Sequence, residues 1–150
     1  MLVKPHGSPE LKPLLVPSTG SDFEKHIPMT TRELSDLLML GMGAYTPLDG
    51  FMGKSDWLTV CEDMKTSDGL FWPIPITLSV SKERMDTIKL GDEVGLVDEE
   101  GRVFGSMIVN EIYEIDRDKE CNAVFGTKDP DHPGVAKVLE QGPFNLAGPV

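Results

Sequence analysis

The sequence predicts an α+β fold, and three patterns in it carry that prediction. Leu34, Leu37, Leu38 and Gly41 recur at the i, i+3, i+4, i+7 spacing of an amphipathic helix. From Trp72 to Val80 the period drops to two, with Trp72, Ile74, Ile76, Leu78 and Val80 alternating with Pro73, Pro75, Thr77 and Ser79. Residues 93–97 and 102–115 then flank the turn cluster Asp98-Glu99-Glu100-Gly101, the outline of a hairpin. A chain of 150 residues is the size of one ordinary domain and needs no metal or disulfide staple to fold.

Taken in order, residues 1–29 hold Pro5, Pro9, Pro13, Pro17 and Pro28, with Ser18-Thr19-Gly20-Ser21 among them. Proline fixes φ and removes backbone donors, so this stretch is predicted as an extended arm. Leu11, Leu14, Leu15 and Val16 are expected to pack it on the body of the domain. Thr30-Thr31-Arg32-Glu33 then fits a capping box, with Met29 and Leu34 placed for a hydrophobic staple. Gly41 or Gly43 supplies the left-handed stop. Met39, Leu40 and Met42 lie off the narrow apolar stripe, which leaves them facing either a partner or a wide core face.

A second helix is expected from Ser55, its apolar face made of Trp57, Leu58, Val60, Cys61 and Met64, ending in the turn Thr66-Ser67-Asp68-Gly69. Two prolines in the strand over 72–80 confine it to an edge or a barrel rim. Ser81 to Lys89 reads as a short helix or turn, and Gly105 marks a bulge or bend in the long second strand of the hairpin. Asp118 to Phe125 is a weak helix, and Pro133 opens a better one through Leu139. The chain stops on the apolar, strand-like Phe144-Asn145-Leu146-Ala147-Gly148-Pro149-Val150, which reads as the severed end of something longer. No internal repeat or low-complexity tract occurs.

Composition narrows the function. Apolar residues make up 39% and charged residues 26% of a soluble globular composition. Against 14 Lys+Arg stand 25 Asp+Glu, a net charge of -11 that repels nucleic-acid phosphate and anionic lipid. No apolar run approaches the ~20 residues of a membrane span. Met1-Leu2-Val3-Lys4 leads straight into Pro5-His6-Gly7 without the apolar core of a signal peptide. Cys61 and Cys121 read as buried reduced thiols, which places the protein in the cytoplasm.

The site-like patterns have structural readings that outweigh the chemical ones. Gly53-Lys54-Ser55 ahead of a helix resembles the end of a P-loop, but Leu48 stands where the loop needs its first glycine, and residues 45–50 read as a turn. Gly41-Met42-Gly43 has Thr46 in place of the third glycine of a dinucleotide fingerprint and follows a helix, so it terminates that helix. His6, His26 and His132 lack metal-ligand spacing, and His132 stands where a ring nitrogen can cap the helix opened by Pro133. Asp116, Asp118 and Asp98-Glu99-Glu100 read as turn and surface charges. Residue by residue, the sequence offers an acidic α+β domain with no nameable active site.

Several segments together, in order and across nearly the whole chain, resemble the N-terminal domain of the ATP sulfurylase (sulfate adenylyltransferase) family. They are Lys4-Pro5-His6-Gly7, Thr46-Pro47-Leu48-Asp49-Gly50-Phe51-Met52, Trp72-Pro73-Ile74-Pro75-Ile76-Thr77-Leu78, the run from Val124 to Val135, and Leu146-Ala147-Gly148-Pro149-Val150. The arm departs slightly, reading His6-Gly7-Ser8-Pro9-Glu10 where many members have a second glycine, and Ser18 to Ser21 is shorter and more polar than usual. The resemblance implies a PUA-like fold, a small curled β-barrel with short peripheral helices. It implies a single domain over 1–150, with residues 1–29 as an arm packed on it.

In this family ATP and sulfate give adenosine 5′-phosphosulfate and pyrophosphate with Mg²⁺ assisting. The groups responsible, a Gln-x-Arg-Asn motif, a His-containing loop and a Gly-Arg-Asp motif, lie in the domain that follows. Here Gln141 runs into Gly142-Pro143 and Gly101-Arg102 into Val103, so no catalytic, cofactor-binding or metal-binding residue is assigned to this chain. Mg-ATP belongs to the full-length enzyme. The implied partners are the catalytic domain and, at full length, further copies in a homo-oligomer, with no nucleic acid or membrane. A different class of function is a free-standing PUA-like module binding nucleic acid or peptide, which PUA-like folds suggest only by analogy.

Overall fold

The computed structural model describes residues 3–17 and 22–150. In chain order its elements are β1 (His26–Pro28), α1 (Thr31–Gly41), β2 (Gly50–Phe51), α2 (Lys54–Asp63), β3 (Leu78–Val80), α3 (Lys82–Met85), β4 (Glu93–Val97), β5 (Val103–Ile108), β6 (Glu111–Glu114), α4 (Arg117–Phe125), α5 (Pro133–Glu140) and β7 (Phe144–Pro149). The chain forms two compact units, one of Met1–Phe51, Lys89–Asn110 and Gly148–Val150, the other of Met52–Ile88 and Glu111–Ala147.

In the first unit α1 begins as its sequence dictates. The Glu33 amide donates to Thr30 Oγ1 at 3.3 Å, and the Thr30 amide donates back to Glu33 Oε2 at 2.8 Å, completing the capping box. Gly43, at φ +79°, is the left-handed stop. Leu37, Leu40 and Gly41 are buried while Leu38 is exposed, so the core face is turned slightly from the expected stripe. Leu40 therefore belongs to the core, whereas Met42 stays outside it.

The hairpin is present as β4 against β5, closed by Gly101 at φ +81°. Its register slips between Leu96 and Val97, beside Gly105. A Cβ on Gly105 would stand 3.4 Å from Leu37, an ordinary van der Waals contact, so the nearby helix does not require glycine there. Two features depart from expectation. The long second strand over 102–115 is two strands, because the chain changes ladder at Val109-Asn110: β5 pairs β4, and β6 pairs β7. A short parallel strand, β1, lies within the arm and pairs β4 with His26 opposite Gly95. Three residues ending in proline are too short to announce a strand.

Arm residues 3–17 contain no helix or strand. They meet the unit through the Lys12 amide on Thr46 Oγ1 at 3.0 Å and the Leu14 amide on the Gly41 carbonyl at 2.8 Å. Leu11, Leu15 and Val16 remain exposed and Leu14 is half-buried, so the contact runs through backbone more than through apolar side chains. Ser18 to Ser21 lie outside the described residues.

In the second unit the expected strand over 72–80 shrinks to β3, since the ladder starts only after Pro75, past the donors that proline removes. β3 and β6 flank residues 144–147 of β7, with Leu146 opposite both Leu78 and Ile112. α2 ends at Asp63, with Met64 in the left-handed conformation, just ahead of the turn from Thr66 to Gly69. α3, α4 and α5 form where the sequence places a short helix or turn and two helices. In neither unit do the pairings close into a ring among the described residues.

β2 pairs the end of β7, Gly50 opposite Pro149. The approach is so close that a Cβ on Gly50 would land on the Gly148 carbonyl oxygen, and one on Gly148 would land on that of Ile108. Backbone atoms cannot swing aside as side chains do. Gly50→Ala is therefore expected to cost about 3 kcal/mol, read as a lower urea midpoint at unchanged slope.

Candidate functional site

Each feature singled out in the sequence has a structural occupation. Gly53 is the N-cap of α2 and brings no capping side chain. The Lys54 amide instead donates to Glu111 Oε1 at 3.2 Å, and a Cβ on Gly53 would collide with that carboxylate. Helix N-termini attract anions through unpaired amides and the helix dipole. Here the anion comes from β6 of the same unit, in the place a phosphate takes in a true P-loop. Gly50 and Phe51 preceding it form a two-residue strand rather than a continued turn. Gly41-Met42-Gly43 closes α1 as expected.

His132 is the N-cap of α5: its Nδ1 accepts the Gly134 amide at 3.1 Å, and its ring lies against Phe125 with centroids 5.0 Å apart. Asp116 caps α4 through the Lys119 amide at 3.0 Å, and Asp118 pairs with Lys128 at 3.0 Å. Asp98 accepts from the Glu100 and Arg102 amides, each at 2.9 Å, and from Arg102 Nε at 2.7 Å. Burial pushes its carboxyl up, but the Arg102 amide and guanidinium and the Glu100 amide outweigh it and hold the group below its ordinary range. Among the described residues, no group of three or more His, Cys, Asp or Glu side chains could hold a metal ion.

Cys121 is buried and Cys61 half-buried, and both are free thiols. Burial, followed by the Glu120 carboxylate, pushes the Cys61 thiol up to about 12 and raises Cys121 as well. Only the thiolate is a nucleophile, so neither thiol is poised to react.

Sequence reasoning missed the buried polar networks. In the second unit Trp57 Nε1 donates to buried Glu120 Oε2 at 3.1 Å across 63 residues of sequence. Tyr113 donates its hydroxyl to the Met52 carbonyl at 2.8 Å and accepts from Asn145 Nδ2 at 3.3 Å. Burial raises the Tyr113 phenol above its usual range. In the first unit the Tyr45 hydroxyl donates to Asp36 Oδ1 at 3.1 Å. Burial raises both groups, the Tyr45 phenol to about 12, while Arg32 and the Tyr45 bond draw Asp36 back down. A lone Tyr or Asn in an apolar run announces no distant partner, so only the fold could reveal these pairs. They pair buried polar groups and lock neighbouring elements together, while Asn145 Oδ1 stays buried without a hydrogen-bond partner among the described residues.

Mixed helices and strands, held by caps and inward-turned polar contacts, define a small α+β domain. The chain belongs to the PUA-like domain family, whose model matches residues 3–150. It is 52% identical over 157 residues to a sulfate adenylyltransferase of Thiobacillus denitrificans, covering 99% of this chain and 38% of that protein. It is equally similar, 52% over 160 residues, to a sulfate adenylyltransferase of Chlorobaculum tepidum, covering 99% of this chain and 39% of that one. The chain thus spans about two-fifths of the length of these curated relatives. A solved chain titled "Hexameric APS kinase from Thiobacillus denitrificans" matches with a TM-score of 0.69 at 24% identity, over 99% of this chain and 26% of that one. That likeness shows the fold. Among the described residues no helix is long and apolar enough to cross a membrane.

Two outcomes follow from the caps. His132→Ala should lower stability by about 1 kcal/mol and His132→Asn restore most of it, since either side chain can accept the Gly134 amide. Asp98 has a folded pKa below its unfolded value near 3.8, so its contribution is present above that pH and lost as pH falls through the folded value. Asp98→Asn should therefore flatten the loss of stability seen in urea titrations below about pH 4.

Proposed function

We propose that this chain is the non-catalytic, N-terminal domain of a sulfate adenylyltransferase, acting as a packing and assembly domain for the part that does the chemistry. The observation that carries the reading is coverage: 99% of the chain matches 38% of a protein named for that activity. The site geometry supports it. In the reaction a sulfate oxygen attacks the α-phosphorus of ATP and pyrophosphate leaves, so catalysis needs donors and cations aimed at developing negative charge. This chain carries a net charge of -11, and its one P-loop-like helix start is filled by Glu111. Its donor set does not fit Mg-ATP, which this reading assigns to the remainder of the full-length enzyme.

On the same reading the partners are the catalytic domain and, at full length, further copies of the enzyme; a neighbour titled as a hexamer supports assembly. Residues 1–150 form one PUA-like domain carrying its arm, in a cytoplasmic protein. A curled, barrel-like sheet is part of this picture, supported by the register slip beside Gly105.

Pyrophosphate release provides the test. The purified 150-residue chain should run at the uncatalysed rate with ATP, Mg²⁺ and sulfate, while the longer natural protein containing it turns over. Sulfate-dependent release by the chain alone would overturn the reading. RNA binding at low salt that weakens steeply as salt rises would favour a free-standing binding module instead.

A further inference from the structure

In the first unit the arm crosses the C-terminal end of α1. The Leu14 amide bonds the Gly41 carbonyl at 2.8 Å, and a Cβ on Gly41 would stand 3.2 Å from Leu15 Cδ2. Leu38 and Met42, four residues apart, share one side of the end of α1. Leu15 reaches the same last turn of the helix at Gly41. All three are open to solvent: Leu15 is 74% exposed, Leu38 47% and Met42 55%. Leu11 and Val16, in the same arm, are open to solvent as well, at 61% and 80%. Single exposed apolar residues are ordinary, but several on one helix end and on the arm that crosses it mark an interaction surface.

Two facts select the occupant. About three-fifths of the length of the curated relatives lies outside the segment matched by this chain. The Val150 amide is bonded to the Asp49 carbonyl at 3.0 Å, which ties the last residue to the same unit that carries the patch. We propose that the patch formed by Leu11, Leu15, Val16, Leu38 and Met42 is the seat of the catalytic domain that follows Val150 in the full-length enzyme. This rests on the reading given above and adds the surface through which it operates. The arm then has a function as well: its leucines stay uncovered in this domain because their burial is completed by the next one.

Met42 and Met64 make a matched pair of probes, 55% and 50% exposed, the first in the patch and the second in the other unit. Oxidation by dilute hydrogen peroxide, followed residue by residue by mass spectrometry, reads their exposure. In the 150-residue chain the two should react at similar rates. In the longer protein Met42 should slow about ten-fold against Met64, and Leu38→Glu in that protein should restore its rate. Equal rates in a longer protein that turns over ATP and sulfate would overturn this assignment while leaving the proposed function standing. Protection of Met42 that grows with concentration in the 150-residue chain would overturn it in favour of a second copy. Turnover by the 150-residue chain alone would remove the proposed function and this assignment with it.

Discussion

Side chains are excluded where Gly50 meets Gly148, and much of the first unit depends on that exclusion. The Gly148 carbonyl occupies the space a Cβ on Gly50 would need, and the Ile108 carbonyl the space one on Gly148 would need, so three backbone segments lie in direct contact. This contact draws Gly50–Phe51 onto the end of β7 and allows the Val150 amide to reach the Asp49 carbonyl. The segment Thr46-Pro47-Leu48-Asp49-Gly50-Phe51-Met52 is understandable in this light. Thr46 Oγ1 donates to the Gly43 carbonyl at 2.7 Å and accepts the arm at Lys12, and Phe51 and Met52 are buried. In the second unit the Met52 amide donates to the Ile76 carbonyl and its carbonyl receives Tyr113. A run that looks like a signature of function is, atom by atom, a signature of packing.

The same economy governs the charged groups. Glu111, Asp116 and His132 each satisfy a helix N-terminus, and Asp98 holds a hairpin turn. Groups of these types could serve catalysis if they faced a common cavity with their lone pairs free. Here their acceptor atoms are committed to backbone amides a few residues away or to a neighbouring element. Turning a carboxylate toward amides stabilises its charged form, as it does for Asp98.

Local signals were legible in the sequence, and non-local ones were not. The capping box at Thr30, the histidine cap before Pro133, the turn at Gly101 and the final apolar strand all depend on residues within a few positions of one another, and each formed as read. The shortened β3 follows from a rule known in advance, the missing proline donors, applied too leniently. The break at Val109-Asn110 was hidden because β5 and β6 are both plausible strands; what separates them is a change of ladder partner, a tertiary event. The Trp57–Glu120 and Tyr113–Asn145 bonds were equally hidden, each joining positions dozens of residues apart. The apparent P-loop was rejected for its missing glycine, but the physical reason it cannot take phosphate, Glu111, is a contact across 57 residues.

On the proposed reading the domain contributes to catalysis by holding another domain in position, and its own surface need bind no substrate. Calorimetric titration of Mg-ATP into the 150-residue chain tests that idea most directly. No saturable heat is expected, with or without sulfate, whereas one-to-one binding would show that the nucleotide is held by this chain after all.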